Sequence, residues 1–300
     1  MLAAFETAGT FLRGNLHCHS SISDGNPTPE RVCSFYQNAG YDFISLTDHF
    51  MEQYGFPIVD TSAFRRDGFT TLNGAELHAP SIANGEIWHL VANGLPLDFA
   101  PPDAHETGRE LAQRALDAGA FVSIAHPGWY GLTLEDALSL PQVHAVEVFN
   151  SISDKETGRG DGGYLIDQLL NNGRPTGVIA TDDAHRYLAE VCCGWVMVKA
   201  QANTPEAILC ALKSGAYYAS QGPDFHHVEI DGDFLNVEMS PVNTVWLIGE
   251  AARSQSVMGA GIRHARLPLE KFRGGWARLV ICDENSKRAW SNPLHLSSKS

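Results

Sequence analysis

Short apolar runs alternate with helical segments along the first two-thirds of the chain, and this rhythm limits the fold more than any other feature. Candidate strands fall at Asn15–His19, Phe43–Thr47, Thr70–Glu76, Ile87–Asn93, Phe121–His126, Ala145–Phe149, Gly177–Thr181 and Gly194–Lys199. They are short and rich in Val, Ile, Leu and Phe, as expected when both faces of a strand are buried. Helices fit between them. Thr28-Pro29-Glu30 reads as an N-cap, a proline at the first helical position and an acidic first turn, and Gly40 closes that helix. Further helices are predicted at Glu106–Ala118, Leu134–Leu140 and Tyr164–Asn172, and another opens at Thr204-Pro205-Glu206. Such alternation implies an α/β fold with a parallel sheet, either open or closed into a barrel.

After about Gly222 the pattern changes. Phe225–Ile230, Phe234–Met239, Thr244–Ile248 and Ala277–Cys282 look like short alternating strands separated by turn residues, and helical signals nearly vanish. This predicts a main domain over 1–223 and a small antiparallel β-rich domain over 224–300. The glycine-rich loop Gly158–Gly163 lacks the spacing and the Gly-Lys-Ser/Thr of a phosphate-binding P-loop.

Histidine is the unusual entry in the composition, with 13 copies, several of them beside carboxylates. His17 and His19 are two apart on the first predicted strand, so both project to one face. Asp24 follows in the next loop. The second strand ends in Thr47-Asp48-His49, the third in Gly74-Ala75-Glu76 and the fifth in Ala125-His126-Pro127. His89 lies inside the fourth, and the seventh runs out as Thr181-Asp182-Asp183-Ala184-His185. Most of these groups sit at the C-terminal ends of predicted parallel strands, the face on which barrel enzymes build their active sites. Imidazoles mixed with carboxylates suit Zn, Mn or Fe, and the nine candidates suffice for two or three metals sharing a bridging carboxylate. Isolated histidines such as His144, His264 and His295 read as surface or structural residues.

The formal net charge of −14 disfavours duplex nucleic acid and anionic membrane surfaces. No apolar run approaches the roughly 20 residues that a membrane span needs. Residues Met1 to Gly14 lack a basic n-region, and the six scattered cysteines form no CxxC pair. The expectation is a cytoplasmic enzyme with reduced thiols and a small-molecule substrate.

Together these stretches resemble the polymerase-and-histidinol-phosphatase (PHP) superfamily. The matching segments are Asn15-Leu16-His17-Cys18-His19-Ser20, Ser23-Asp24-Gly25, Gly40 through His49, Gly74-Ala75-Glu76, His89-Leu90-Val91, Ile124-Ala125-His126-Pro127 and Thr181 through His185. Within the superfamily the chain looks closest to the carbaryl-hydrolase-like branch. That narrower resemblance rests on His126-Pro127-Gly128-Trp129, Val146-Glu147-Val148-Phe149-Asn150, the double aspartate at 182 and 183, and Tyr218 through Pro223. The resemblance implies a distorted seven-stranded (β/α) barrel and up to three metals. His17, His19, Glu76 and Asp183 would hold the first metal. Glu76 would bridge to a second, held also by His89 and His126, and Asp24, His49 and His185 would hold the third. Asp24 stands where some relatives carry histidine, and its oxygen favours Mn or Fe at least as much as Zn.

Metals so held acidify a water for hydrolysis at neutral pH, and the chain lacks the Gly-x-Ser-x-Gly of a serine nucleophile. Asp183 and His185 are the candidates for proton handling. A phosphoester is the expected substrate, with an amide, aryl carbamate or ester as the alternative and a non-catalytic metal-binding module as a third reading. Arg159, Arg186, Trp129 and Asn150 are candidate substrate contacts, and Lys155 is a further candidate for holding phosphate.

Overall fold

The computed structural model describes residues 2–298. Its strands are β1 (Thr10–Asn15), β2 (Phe43–Leu46), β3 (His49–Phe50), β4 (Thr70–Leu77), β5 (Leu90–Asn93), β6 (Phe121–Ile124), β7 (Ala145–Asn150), β8 (Gly177–Thr181), β9 (Trp195–Ala200) and β10 (Tyr217–Ser220). The tail adds β11 (Phe225–Asp231), β12 (Phe234–Gly249), β13 (Ser254–Pro268), β14 (Trp276–Cys282), β15 (Arg288–Ser291) and β16 (Leu294–His295). The helices are α1 (Ala3–Glu6), α2 (Pro29–Asn38), α3 (Gly108–Asp117), α4 (Leu134–Ser139), α5 (Ser151–Thr157), α6 (Gly163–Asn171) and α7 (Pro205–Lys213).

The helix starts follow local chemistry. Thr28, Thr107, Thr133 and Thr204 each accept a backbone N–H from their own first turn. Thr107 and Thr133 complete reciprocal capping boxes with Glu110 and Asp136. Helix α5, which the sequence pattern did not reveal, is capped by Asn150.

Strands β1, β2, β4, β5, β6, β7 and β8 are hydrogen-bonded in that order. The two ends of the run meet beyond the strands themselves. Cys18, past β1, forms an isolated parallel bridge with Ala184, past β8. His19 N–H donates to Ala184 O at 2.9 Å, and Asp183 N–H donates to His17 O at 2.9 Å. Leu12, Leu16, Phe43, Leu72, Phe121, Ala145 and Ile179 share one buried cluster, and α3, α4 and α6 supply residues to another.

Three expectations need correction. The pairing is not uniformly parallel, because β5 runs antiparallel to both β4 and β6. The first strand stops at Asn15, so His17 and His19 lie beyond it. In the tail, the two predicted strands Phe234–Met239 and Thr244–Ile248 are one sixteen-residue strand, β12, paired along its length with β13. Strand β13 escaped notice because Gly259, Ala260 and Gly261 interrupt its apolar pattern. The tail strands continue the main sheet: β15 pairs with β10, β10 with β9 and β9 with β1.

Candidate metal centre

The reversed β5 explains how His89 joins the site. His89 immediately precedes this strand, and Leu90 pairs with Leu77 of β4 and Ile124 of β6. The N-terminal end of β5 therefore lies level with the C-terminal ends of its neighbours, where Glu76 and His126 sit. Periodicity carries no information on strand direction, so the strand pattern did not place His89 among the other donors; only the family resemblance did.

All nine predicted ligands converge. Glu76 is at the centre: Oε1 lies 2.8 Å from His89 Nδ1 and 3.2 Å from His126 Nε2, and Oε2 lies 2.7 Å from His49 Nδ1. Asp183 Oδ1 lies 3.2 Å from His17 Nε2 and 3.0 Å from His19 Nε2. Those two nitrogens are 3.2 Å apart, so the His-x-His pair does share a face. Asp24 faces His49 Nε2 and His185 Nε2, each at 3.4 Å. Five overlapping groups of three or four donors have their ligand atoms within 4.8 Å of one another, and Glu76 belongs to three of them.

Two of the predicted ligands occupy uncommon backbone conformations. His126 has φ 21° and Asp183 φ 52°, a region few non-glycine residues enter. Surrounding bonds hold both in place: His126 N–H donates to Glu147 Oε2 at 2.7 Å, and Asp183 N–H to His17 O.

Sequence reasoning missed two participants. Glu147, buried in β7, sits 2.7 Å from His17 Nδ1 and also accepts from Thr181 Oγ1, Asn150 Nδ2 and the His126 backbone. It thus orients one imidazole and anchors two loops. Its place inside a strand, rather than at a strand end, hid it. His78, buried two residues after Glu76, lies 2.9 Å from His49 through Nε2. The two-residue spacing from Glu76 was the available signal.

The two aspartates at 182 and 183 divide their work. Asp183 faces the cluster. Asp182 accepts the backbone N–H groups of Cys192, Cys193 and Gly194 and the Tyr36 hydroxyl, fixing the turn into β9. Asp48 accepts from Ser20 and Ser23 and ties down the loop that carries Asp24.

The donor set fits divalent cations. Three carboxylates and seven imidazoles meet with no lysine or arginine among them. Among the described residues the only buried Lys or Arg is Arg278, in the tail. The Nδ1 atoms of His19 and His126 are buried without hydrogen-bond partners, which is costly unless the rings serve another purpose. The protonation pattern tells the same story. Burial alone would push Glu76 up, yet His49, His89 and His78 hold it well below the usual carboxylate range. Burial lowers His49, but Glu76 and then Asp24 outweigh it and raise the imidazole to about 11. His19 is pushed the other way, to about 3, by burial and by His185 and His49. The carboxylates thus draw positive charge into the site, and protons meet that demand where no metal does.

Most of the cluster lines a cavity of about 520 Å³. Asp24, His49, Glu76, His78, His89, His126, Asp183 and His185 line it, with Trp129, Tyr54, Glu86, Glu156 and Arg186 among the wall residues. The predicted substrate contacts separate here. Trp129, 40% exposed, and Arg186 reach the cavity. Arg186 is paired with Glu156 at 3.5 Å. Arg159 is outside the lining and bonds the Trp129 carbonyl at 3.4 Å. Asn150 is fully buried; its amide donates to Glu147 and Asp183 and its Oδ1 accepts from Ser153 N–H. Its polar groups are engaged in bonds within the site, and it does not line the cavity. Lys155 is exposed beside Asp154.

Searches against protein-family models and against curated proteins return no match. Solved structures do resemble this chain. A two-domain protein from Bacteroides vulgatus, containing a predicted PHP-like metal-dependent phosphoesterase, is 17% identical over 95% of this chain and 96% of its own, with a TM-score of 0.54. An amidohydrolase from Chromobacterium violaceum, solved with sulfate and no metal, is 15% identical over 58% of this chain and 88% of its own, with a TM-score of 0.42. The first likeness shows a shared fold that extends through the tail.

Proposed function

We propose that the chain is a metal-dependent hydrolase of the PHP type acting on a small-molecule phosphoester, in a reducing, cytoplasmic setting. The observation that carries this reading is the convergence of Glu76, Asp183 and Asp24 with six predicted imidazole ligands, four of which, His49, His89, His126 and His185, line one cavity together with the three carboxylates. In the proposed assignment His17, His19, Glu76 and Asp183 hold one ion, Glu76, His89 and His126 a second, and Asp24, His49 and His185 a third. Bound there, Mn, Fe or Zn would acidify a water and offset charge on the reacting group. Glu147 holds the His17 ring through Nδ1, and Asn150 holds the Asp183 carboxylate through Oδ2. Proton traffic is assigned to Asp183 and His185, which both reach the cavity.

Charge counting supports phosphate as the substrate. Three divalent ions would bring about six positive charges against three ligand carboxylates, leaving an excess suited to an anion without a dedicated arginine. A second reading is hydrolysis of an amide or aryl carbamate, as the resemblance to the carbaryl-hydrolase-like branch suggests. It is favoured by Trp129 on the wall and by the pairing of the lining arginine, Arg186, with Glu156.

Metal analysis of purified protein, with a panel of phosphoesters and aryl carbamates, tests both. The expected result is two to three transition metals per chain and phosphate release that a chelator abolishes. Release of an aryl alcohol instead selects the second reading. Less than one metal per chain after metal-replete expression overturns both.

A further inference from the structure

We propose that His78 is a positioning residue that fixes the ring of His49, and through it the metal position formed by Asp24, His49 and His185. The inference rests on the three-metal reading above, which gives His78 no part.

His78 directly follows β4, two residues beyond Glu76, so the two side chains project to the same side. It is 7% exposed. Its Nδ1 lies 3.1 Å from the Trp88 carbonyl oxygen. A carbonyl only accepts, so this nitrogen carries the hydrogen and donates it. In the neutral ring Nε2 is then a bare lone pair. That lone pair lies 2.9 Å from His49 Nδ1, so His49 carries its hydrogen on Nδ1. The consequence is at the far side of the His49 ring: once a metal replaces the second proton, the lone pair is on Nε2, which lies 3.4 Å from Asp24 Oδ2. With His49 neutral, that nitrogen and the Asp24 carboxylate would together be offered to a cation. The relay runs from the Trp88 carbonyl through His78 to His49, and it ends at the metal position.

Glu76 Oε2, 2.7 Å from His49 Nδ1, is a competing acceptor. It demands the same tautomer, so the two partners agree. Glu76, however, also faces His17, His19, His89 and His126. When its oxygens are engaged by metal, His78 is the acceptor that remains for His49. Partners of this kind typically change metal affinity ten- to a hundredfold when removed.

Zinc binding by the full chain, measured as stoichiometry and affinity against a competing chelator, tests the proposal. Asp24→Ala should lose one ion. His78→Leu, which keeps the volume and removes the acceptor, should weaken that same ion ten- to a hundredfold and spare the others. His78→Gln, which restores an acceptor oxygen, should recover it. Long-range ¹H–¹⁵N spectra of zinc-loaded wild-type protein should show His78 protonated on Nδ1 with Nε2 free of metal, and His49 protonated on Nδ1. Wild-type affinity in a folded His78→Leu variant, failure of a folded His78→Gln variant to recover the ion, or metal on His78 Nε2 overturns the proposal. If Asp24→Ala loses no ion, the three-metal reading fails; the spectra then still decide the His78–His49 relay on their own.

Discussion

The candidate metal centre with its surroundings and the tail bury charge in opposite ways. Around the metal centre Asp48, Glu76, Glu147, Asp182, Asp183 and Glu190 are buried, along with His17, His19, His78, His89 and His126. The tail, from β11 onward, buries a single charged side chain among the described residues, Arg278. That arginine is answered across the seam by Asp167 of α6, in two bonds of 2.7 and 3.0 Å. The tail therefore closes its electrostatics within the protein, while the metal centre leaves Glu76, Glu147 and Asp183 facing imidazoles whose charge depends on protons. A region built only for packing has no use for such an arrangement, because buried charge without a matched partner is costly. The tail's core is ordinary by comparison: Leu235, Val237, Val245, Leu247, Leu267, Leu279 and Ile281 pack in one apolar cluster.

The contrast can be broken most decisively at Glu76. Glu76→Ala should remove the shared carboxylate and lose at least two ions, with activity falling to background, as metal analysis and turnover will show. Equal damage from Asp24→Ala would disprove the central place given to Glu76. Glu147→Gln should come next. It keeps the shape but removes the charge behind His17, and ten- to hundredfold weaker metal binding is expected.

Arg278→Met sharpens the other side. It strands Asp167, so a loss of about 3 kcal/mol or less is expected, since Asp167 is partly open to water. Thermal unfolding will show it, and metal content should not change. A loss of metal would mean that the tail holds up the site.

Acid should separate the regions further in metal-free protein. His19 and His78 are each held near about 3 by burial, against an ordinary 6.5. The unfolded chain takes up those protons first, so stability should fall as pH drops from about 6.5 towards 3. Denaturant titrations across that range will test it, and bound metal should delay the loss. The smallest effect belongs to the open edge of the tail. Met258, 70% exposed on β13, should tolerate Met258→Ser within about 0.5 kcal/mol in the same titrations.

Much of the centre was legible because its chemistry is written at strand ends. His-x-His, Thr-Asp-His, Ala-Glu, His-Pro and Asp-x-His are local patterns, and local patterns survive without tertiary information. Glu147 and His78 were not legible as partners. Their roles arise from contacts with residues 130 and 29 positions away in the chain. Arg159 and Arg186 looked equivalent in sequence, and only their placement around Trp129 and Glu156 distinguished them.

By itself the sequence determined most of the alternation of strands and helices, the threonine caps of α2, α4 and α7 and the identity of nearly all the converging donors, because these depend on residue type and short spacing. Tertiary structure decided the direction of β5, the continuity of the tail with the main sheet and which acceptor orients each imidazole. Strand direction and pairing are set by backbone partners far along the chain. An imidazole has two nitrogens, and which one is free depends on what packs against the other.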